Sequence, residues 1–529
     1  MRRWNGWGDD TVSWSLSTEA IRTLNGLLGP GTPPRDATLA EVLATVPQAR
    51  LPSHRLVSTD APDRLRHARG QSFPDLIALR SGRIEVFPDG VAYPMSGEEV
   101  RSLLAYARNA GACMIPYGGG TSVVGHINPQ PGSAPVLTVD LSRLNRLLDL
   151  QPESRLATFG AGVAGPDLEA QLRAHGYTLG HFPQSFERST LGGWVATRSS
   201  GQQSLGYGRI EQLFAGGRVE APAGPLLLPP LPASAAGPDL RELVLGSEGR
   251  LGLLTEATVR IAPWPEHEEF HAVFFPDRAR AVSAVRAIAQ SRLFLSMLRL
   301  SLPEETAINL AFARNRRAVT FLEKLLALRR IGEEKCLLLI GLTGDRGLID
   351  QTRGQVQALA HDYGGVHTGQ GLGRQWRRSR FRTPYWRNEL WERGYAVETV
   401  ETATTWENVP ALIDRLETTL RSGLAGRGET VHASTHLSHL YPHGSSIYTT
   451  FIFRLGKDAG ETYDRWRVLK TAASRAIMAQ GGTISHHHGV GAEHRPYMED
   501  EKGTLGVAAL RQIMAGFDPD GLLNPGKLV

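Results

Sequence analysis

The sequence predicts an α+β chain of two structured units behind an irregular N-terminal stretch. Three observations predict it. Strand-like runs alternate with capped helical segments from about residue 83 to about 262. A Pro/Ala/Gly-rich stretch, 220–238, interrupts that alternation and reads as an exposed loop or a weak strand pair. A second alternation starts near 268, which sets the main boundary near 265. The expected units are therefore 1–82, 83–265 and 266–529.

Residues 1–70 mix Trp, Pro and Gly with short amphipathic pieces. The run 83–87 reads as a short strand. Ser96 with Glu99 has capping-box spacing and opens a helix over 100–109. Residues 112–116 read as a buried strand running into a glycine-rich loop. Strands at 136–141 and 155–159 precede a helix at 166–175. The second unit is expected to hold strands at 271–275, 294–300 and 336–343. Helices are expected at 279–290, 317–328 and 348–363. Residues 447–455 read as a strand, 463–480 as a helix, and 504–517 as the last helix.

Composition removes several classes. Hydrophobic residues make up 41% and charged residues 21%, so the chain is neither disordered nor fibrous. No apolar run reaches the ~18 residues of a membrane span. No apolar segment follows the basic N-terminal residues, so a secretory signal is not expected. Two cysteines exclude a disulfide scaffold and a Cys-rich zinc site, and a reducing cytoplasm is the expected home. The net charge of +5 is too small to imply a nucleic-acid partner. Only six of the 58 basic residues are lysine; arginine offers planar paired donors suited to phosphate and carboxylate.

Four glycine-rich segments compete for a phosphate-binding role. In the first, Pro116, Tyr117, Gly118, Gly119, Gly120, Thr121 and Ser122, three consecutive glycines let backbone N–H groups converge on an anion. No lysine follows, so it is not a Walker loop. The second, Gly160 to Gly165, formally matches a dinucleotide fingerprint, although Pro166 in the first helical turn also suits a plain strand–turn–helix. The third runs through Ser189, Thr190, Gly192 and Gly193. The fourth runs from Gly246 through Glu248 and Gly249 to Gly252.

Eight of the 17 histidines lie between 432 and 494. His432, His436, His439 and His443 share one face if that segment is helical, a spacing that would suit a metal. Pro442 and the turn-like residues beside it argue against a helix. If residues 486–488 are a strand, His486 and His488 share a face and His487 takes the other. A polar pocket and a metal site both remain open on these residues alone. Tyr448 sits in a strand, where a tyrosine is ordinarily core. Arg387 ends an arginine run interleaved with aromatics that fits either a solvated face or an anionic headgroup surface. Arg299 is a strand arginine flanked by apolar residues, so it faces outward or is paired.

The ordered set is specific. Residues 116–123, 183–190 with Gly192 and Gly193, 197–200, and Gly246 to Gly252 resemble the flavin-binding signature of vanillyl-alcohol-oxidase (PCMH-type) flavoproteins. Within them the chain is most similar to the alkyldihydroxyacetonephosphate synthase family. Trp4 to Gly8, Ser296 to Leu300, Glu398 to Thr402 with Trp406, and Ser485 to Gly491 extend the resemblance along nearly the whole chain.

The resemblance implies a two-subdomain FAD-binding domain, an α+β cap with an antiparallel sheet, a C-terminal segment returning to the flavin, and noncovalent FAD. It implies cofactor contacts from Pro116, Tyr117, Gly118, Gly119, Gly120, Thr121, Ser122, Gln184, Ser185, Ser189, Thr190, Gly193, Thr197, Arg198, Ser199, Ser200, Glu248, Gly249, Gly252, Leu253 and Leu254. It reduces Gly160 to Gly165 to a structural turn. It makes Tyr448 the base, with a proton affinity lowered by cationic imidazoles. His486, His487 and His488 become proton carriers lining the flavin pocket, with no metal. Arg299 lies near the site, and Arg387 clamps the substrate phosphate.

The implied reaction is redox-neutral. Acyl-dihydroxyacetone phosphate and a long-chain alcohol give alkyl-dihydroxyacetone phosphate and a fatty acid through a flavin N5 adduct. A homodimer and peripheral contact with the inner membrane surface are also implied, with no nucleic-acid partner. Departures stand at Gln184, where the family has an acid, at His436 for an arginine, and at Ser446 for a cysteine. The residues after Gly491 depart from the basic stretch expected there. The chain ends Gly526-Lys-Leu-Val529 rather than in a Ser-Lys-Leu address, which fits a bacterial-type member. The alternatives are an FAD-linked oxidase or dehydrogenase of a 2-hydroxy acid or alcohol, and a silent lipid-binding protein. The latter would have lost the glycine set or Tyr448.

Overall fold

The computed structural model describes residues 2–12, 15–312 and 316–529. The first sheet contains β1 (Val57–Ser58), β2 (Gly90–Ala92), β3 (Cys113–Tyr117) and β4 (Val136–Asp140), in the order β1-β2-β4-β3. β2, β4 and β3 are parallel and β1 is antiparallel at the edge. A crossover needs a connecting element, and helix Gly97–Asn109 leads from β2 into β3. Its Val100, Leu103, Leu104 and Ala107 are buried with Met114, Leu137 and Val139. Ser96 caps this helix through the Glu99 N–H, but the Glu99 carboxylate takes the N–H of Met95 rather than that of Ser96.

The strand expected at 83–87 does not form. Ile84 and Phe87 instead pack with Val42, Leu65 and Leu79. Their apolar spacing records contact with helices, not strand pairing.

The second sheet is antiparallel. It is built from β5 (Leu147–Gln151), β6 (Leu156–Gly160), β8 (Phe214–Ala221), β9 (Gly224–Leu228) and β10 (Leu253–Arg260), ordered β5-β6-β10-β8-β9. A separate two-residue pair joins β7 (Tyr177–Thr178) to β11 (Ala262–Pro263). The 220–238 stretch is both of the things expected of it. It completes the β8–β9 hairpin and then runs on as exposed loop.

The third sheet holds β12 (His267–Phe275), β13 (Met297–Ser301), β14 (Cys336–Gly344), β15 (Val366–His367), β16 (Tyr395–Thr405), β17 (His432–Leu437), β18 (Leu440–Tyr441) and β19 (Gly444–Arg454). Its order is β15-β12-β14-β13-β17-β19-β16, with β18 on β19, and its pairs are antiparallel. In β14, Leu338, Ile340 and Leu342 join the main core with Val285, Ile349, Leu416 and Leu469 of the covering helices. Leu337 and Leu339 face a smaller core on the other side.

Both ends of the chain are tied into this frame. Helix Thr18–Leu28 buries Leu24 and Leu28 with Leu390, Tyr395 and Ile452. The Asn388 amide accepts the Trp7 N–H and donates to the Trp7 carbonyl. At the other end, Met114 donates to the Leu522 carbonyl and Asn524 to the Met114 carbonyl. The C-terminal segment thus returns to β3.

Candidate active site

One cavity of about 1370 Å³ runs between the two smaller sheets and the face of the third. That exceeds the roughly 300–1,000 Å³ of an ordinary single-ligand site, so it has room for a cofactor and a second ligand.

Its first wall is made of backbone. The loop after β3 and the segment entering helix Leu191–Thr197 approach so closely that a Cβ on Gly119 would collide with the Arg188 carbonyl oxygen. Gly120 has φ +66°, which glycine adopts without steric cost. Thr190 caps the helix through the Gly193 N–H. The N–H groups that open this helix are taken by the Val163 and Ala161 carbonyls and by Thr190. It is the glycine loop 118–120, lining the cavity with no side chain in the way, that suits a diphosphate. The Gly160 to Gly165 turn instead packs on Leu141 and Leu144.

Its second wall is made of side chains set by strand register. Ser301 lies opposite His436, His436 opposite Tyr448, and Tyr448 opposite Glu401. Directly opposed residues share a sheet face. The His436 ring stacks on Tyr448 with centroids 4.8 Å apart. Glu305 accepts from Arg299 at 2.8 Å and pairs with His436 Nδ1 at 2.9 Å. Burial pushes the Glu305 carboxyl up, but Arg299 and His436 outweigh it and hold it below the usual range.

The third element is the loop 485–491, which is not a strand. The Glu401 carboxylate accepts the N–H groups of His486, His487 and His488 and the Ser485 hydroxyl. The Glu248 carboxylate takes the N–H groups of Val490 and Gly491 and meets His126 Nε2 at 2.9 Å. Two buried carboxylates therefore grip the loop at both ends, and its side chains follow from that grip. The His487 and His488 rings lie 6.1 and 5.8 Å from that of Tyr448.

Tyr448 donates to Thr399 Oγ1 at 3.2 Å. Its proton affinity is not lowered as expected. Burial pushes it up to about 12, with Glu401 and Glu398 adding to the rise and Lys470 opposing it. Burial also pushes His436, His439, His486 and His488 below their ordinary proton affinity, which works against the anticipated cationic imidazoles. Lys470 is the cation that lowers the Tyr448 proton affinity; it pairs with Glu493 at 2.9 Å and donates to the Thr399 carbonyl.

Most of the residues expected at the site line the cavity, including Tyr448, His487, His488, Arg299 and Arg387. Three do not. Leu253 is buried in the core of the first sheet. Arg198 turns away to Glu242 and the Leu245 carbonyl. His486 sits behind the wall, where Arg209 donates to its Nε2 at 2.5 Å and Tyr441 bonds the same atom. Gln184 donates to the Arg380 carbonyl at 2.5 Å, a contact that a carboxylate could not make. Of the earlier histidine set, His432 and His436 lie on strand β17, so the helical metal face does not exist. His439, His486 and His487 present ring nitrogens within 4.8 Å of one another. His486 and His487 share a hydrogen bond of 3.0 Å, and the Arg209 guanidinium beside them opposes a second cation.

Sequence reading missed Arg209, Lys470, Glu305 and the two-carboxylate grip. A lysine on a helix in an arginine-rich chain was a faint signal. Arg209 and the carboxylate grip had none, because their partners lie far away in sequence. Glu305 is six residues from Arg299, but its His436 partner is 131 away.

Residues 88–227 match the FAD binding domain family, and residues 264–528 match the FAD linked oxidases, C-terminal domain. The alkyldihydroxyacetonephosphate synthase of Dictyostelium discoideum is 32% identical over 570 residues, covering 100% of this chain and 93% of that protein. The chain belongs to the alkyldihydroxyacetonephosphate synthase family. The family's Caenorhabditis elegans protein is 32% identical over 489 residues, covering 89% of this chain and 81% of that one. A solved structure of an alkyldihydroxyacetonephosphate synthase superposes with TM-score 0.85 at 28% identity, covering 100% of this chain and 99% of that one. FAD is the cofactor of this family member, and the glycine-lined first wall, open to a close backbone approach, fits it.

Proposed function

We propose that the chain makes an ether lipid precursor on noncovalently bound FAD. Acyl-dihydroxyacetone phosphate and a long-chain alcohol are the substrates; alkyl-dihydroxyacetone phosphate and a fatty acid are the products, with no net oxidation. The observation that carries this reading is the continuity of one cavity. The flavin loops, a phenol with imidazoles, an unsatisfied guanidinium and an apolar end share its walls.

Arg387 Nη1 donates to the Gln71 carbonyl, while its buried Nη2 has no hydrogen-bond partner. A buried donor left unpaired is costly, and a substrate phosphate oxygen satisfies it. Leu16, Ala20, Ile308, Phe312, Leu390 and Ile452 give the cavity apolar wall for hydrocarbon chains. Tyr448 holds its proton in the resting site, so it must hand that proton on before taking one from C1 of the substrate. The rings of His436, His488 and His487 stand 4.8, 5.8 and 6.1 Å from that of Tyr448 and are the carriers within reach. The depressed affinity of His488 makes it a transient carrier, slow to take a proton and quick to pass it on. Bound FAD supplies the electrophilic centre at which the glycerone carbon exchanges a carboxylate for an alkoxide. A homodimer, cytoplasmic placement and contact with the inner membrane surface complete the reading. No helix among the described residues is long and apolar enough to cross a membrane.

The test is anaerobic incubation of FAD-loaded protein with palmitoyl-dihydroxyacetone phosphate and hexadecanol, following flavin spectrum and product masses together. Ether product without an electron acceptor is expected. Flavin bleached by a hydroxy acid or alcohol, without ether product, would replace this reading with an oxidoreductase.

A further inference from the structure

The two walls of the cavity are tied together from behind by residues to which the reaction assigns no part. Ser122 closes the glycine loop. Its hydroxyl meets His126 Nδ1 at 2.8 Å and accepts the His126 N–H at 3.0 Å. The other ring nitrogen, Nε2, stands 2.9 Å from Glu248 Oε1, a close polar contact rather than an aligned hydrogen bond. Glu248 takes the N–H groups of Val490 and Gly491 at 2.6 and 2.9 Å. One imidazole, only 5% exposed, therefore bridges the loop that holds the cofactor and the grip on the loop that carries His487 and His488.

A backbone seam runs beside this bridge. The Val124 carbonyl accepts the N–H groups of Ala492 and Glu493 at 3.0 and 3.3 Å. A Cβ on Gly491 would lie 2.2 Å from that same oxygen, and one on Gly489 would lie 2.6 Å from His126 Nε2. The seam leads on to the base. Glu493 pairs with Lys470, Lys470 donates to the Thr399 carbonyl, and Thr399 Oγ1 accepts the Tyr448 hydroxyl.

The two links divide the work. The seam is backbone, so it keeps residues 492–493 in place whatever side chain stands at 126. Residues 486–491 lie outside it and hang between two carboxylates, Glu401 on β16 and Glu248. The Glu248 end is the one joined to the glycine loop through His126. A ligand that stiffens one segment stiffens what is bonded to that segment.

We propose that His126 is a positioning residue that makes the order of residues 486–491 depend on the cofactor. With FAD on the glycine loop, Ser122 is held, His126 is held by Ser122, and Glu248 keeps its grip on the loop. The rings of His487 and His488 then stay beside Tyr448. The effect on turnover rests on the synthase reading above; the ordering itself needs only FAD binding.

The experiment measures amide hydrogen exchange in the full-length protein, stripped of flavin and then reloaded with FAD. In the wild type, FAD slows exchange at 117–122. It also slows exchange at 486–491 by roughly three- to tenfold, the net worth of one hydrogen bond. His126→Ala takes up FAD and keeps the protection at 117–122, but loses that at 486–491. Its turnover falls through kcat, with KM unchanged. His126→Gln, whose amide donates toward Glu248, restores the protection. Wild-type exchange at 486–491 that ignores FAD overturns the proposal, and so does His126→Ala protein that FAD protects at both segments. If the alanine variant takes up no flavin, His126→Gln decides. Flavin uptake with loop protection in that variant upholds the bridge, and any other result assigns His126 to cofactor binding alone and overturns it. His126-dependent protection in a protein that makes no ether product leaves the bridge standing and removes the synthase reading. Ether product from a wild type without such protection does the reverse.

Discussion

The flavin wall and the catalytic wall of the cavity are built from different atoms. The first relies on backbone N–H groups and on glycines that allow two segments to touch, as at Gly119 and Arg188. The second relies on buried side chains that neutralise one another in pairs: Arg299 with Glu305, Lys470 with Glu493, and Glu401 with the histidine loop. The difference teaches where each wall is fragile. A backbone wall fails by steric intrusion and loses its ligand. A wall of paired charges keeps its shape and fails by losing proton control, since removing one buried partner leaves the other uncompensated.

The largest expected effect tests the second wall directly. Tyr448→Phe keeps the ring against His436 and removes only the hydroxyl. Turnover to ether product is expected to fall by about 10²–10⁴, with FAD affinity by fluorescence titration unchanged. A variant that loses flavin as well would break the division between the walls.

Gly119→Ala tests the first wall. The added methyl meets the Arg188 carbonyl, an overpacking that costs about 1–3 kcal/mol. The purified protein is expected to be depleted of flavin, with a lowered melting temperature. Full flavin occupancy at wild-type stability would mean that the two glycine segments do not need their close approach.

A pH experiment sharpens the account of the imidazoles. His436, His439, His486 and His488 are pushed below the ordinary histidine value of about 6.5 by burial. Below that value the unfolded chain binds protons that the folded chain refuses, so stability falls with falling pH. His181, His432 and His494 add in the same direction. Glu401 is depressed by the histidines, so its contribution is intact above about 4.5 and does not enter this window. The melting temperature of the apoprotein is therefore expected to drop between pH 7 and pH 5. Glu401→Gln removes the charge that favours the protonated imidazoles, so the acid limb of the rate–pH profile should move to lower pH. An unmoved limb would make Glu401 merely a backbone anchor.

The smallest expected effect lies where the walls meet. Gln184→Glu loses the donor to the Arg380 carbonyl, worth about 1 kcal/mol. A few-fold change in substrate affinity is expected, with little change in FAD affinity. A large gain in FAD affinity would mean that this position belongs to the flavin wall after all.

The two walls were also unequally legible. The loop 117–122 could be read because a backbone that must approach an anion demands glycine locally, whatever the rest of the fold does. Helices such as Gly97–Asn109 and Ala459–Ala479 could be read from caps and apolar spacing. β16 and β17 escaped as strands. Their Glu401, Thr402, Ser434 and His436 are buried polar residues, which blur the alternation that marks a half-solvated strand. Sequence patterns fail where polar groups are turned inward for function. The run 83–87 failed in the opposite sense, being alternating but unpaired.

By itself, the sequence determined the α+β alternation and the glycine segments that hold FAD, because dihedral freedom and periodicity are properties of neighbouring residues. Only the tertiary structure decided that Ser301, His436, Tyr448 and Glu401 stand in one row. It also decided that Glu248 and Glu401 hold the histidine loop from its two ends, and that Arg387 keeps one buried nitrogen unpaired. Those facts depend on strand register and on contacts spanning up to several hundred residues. No local preference encodes them; they are fixed when the apolar faces of the third sheet and its helices close on one another.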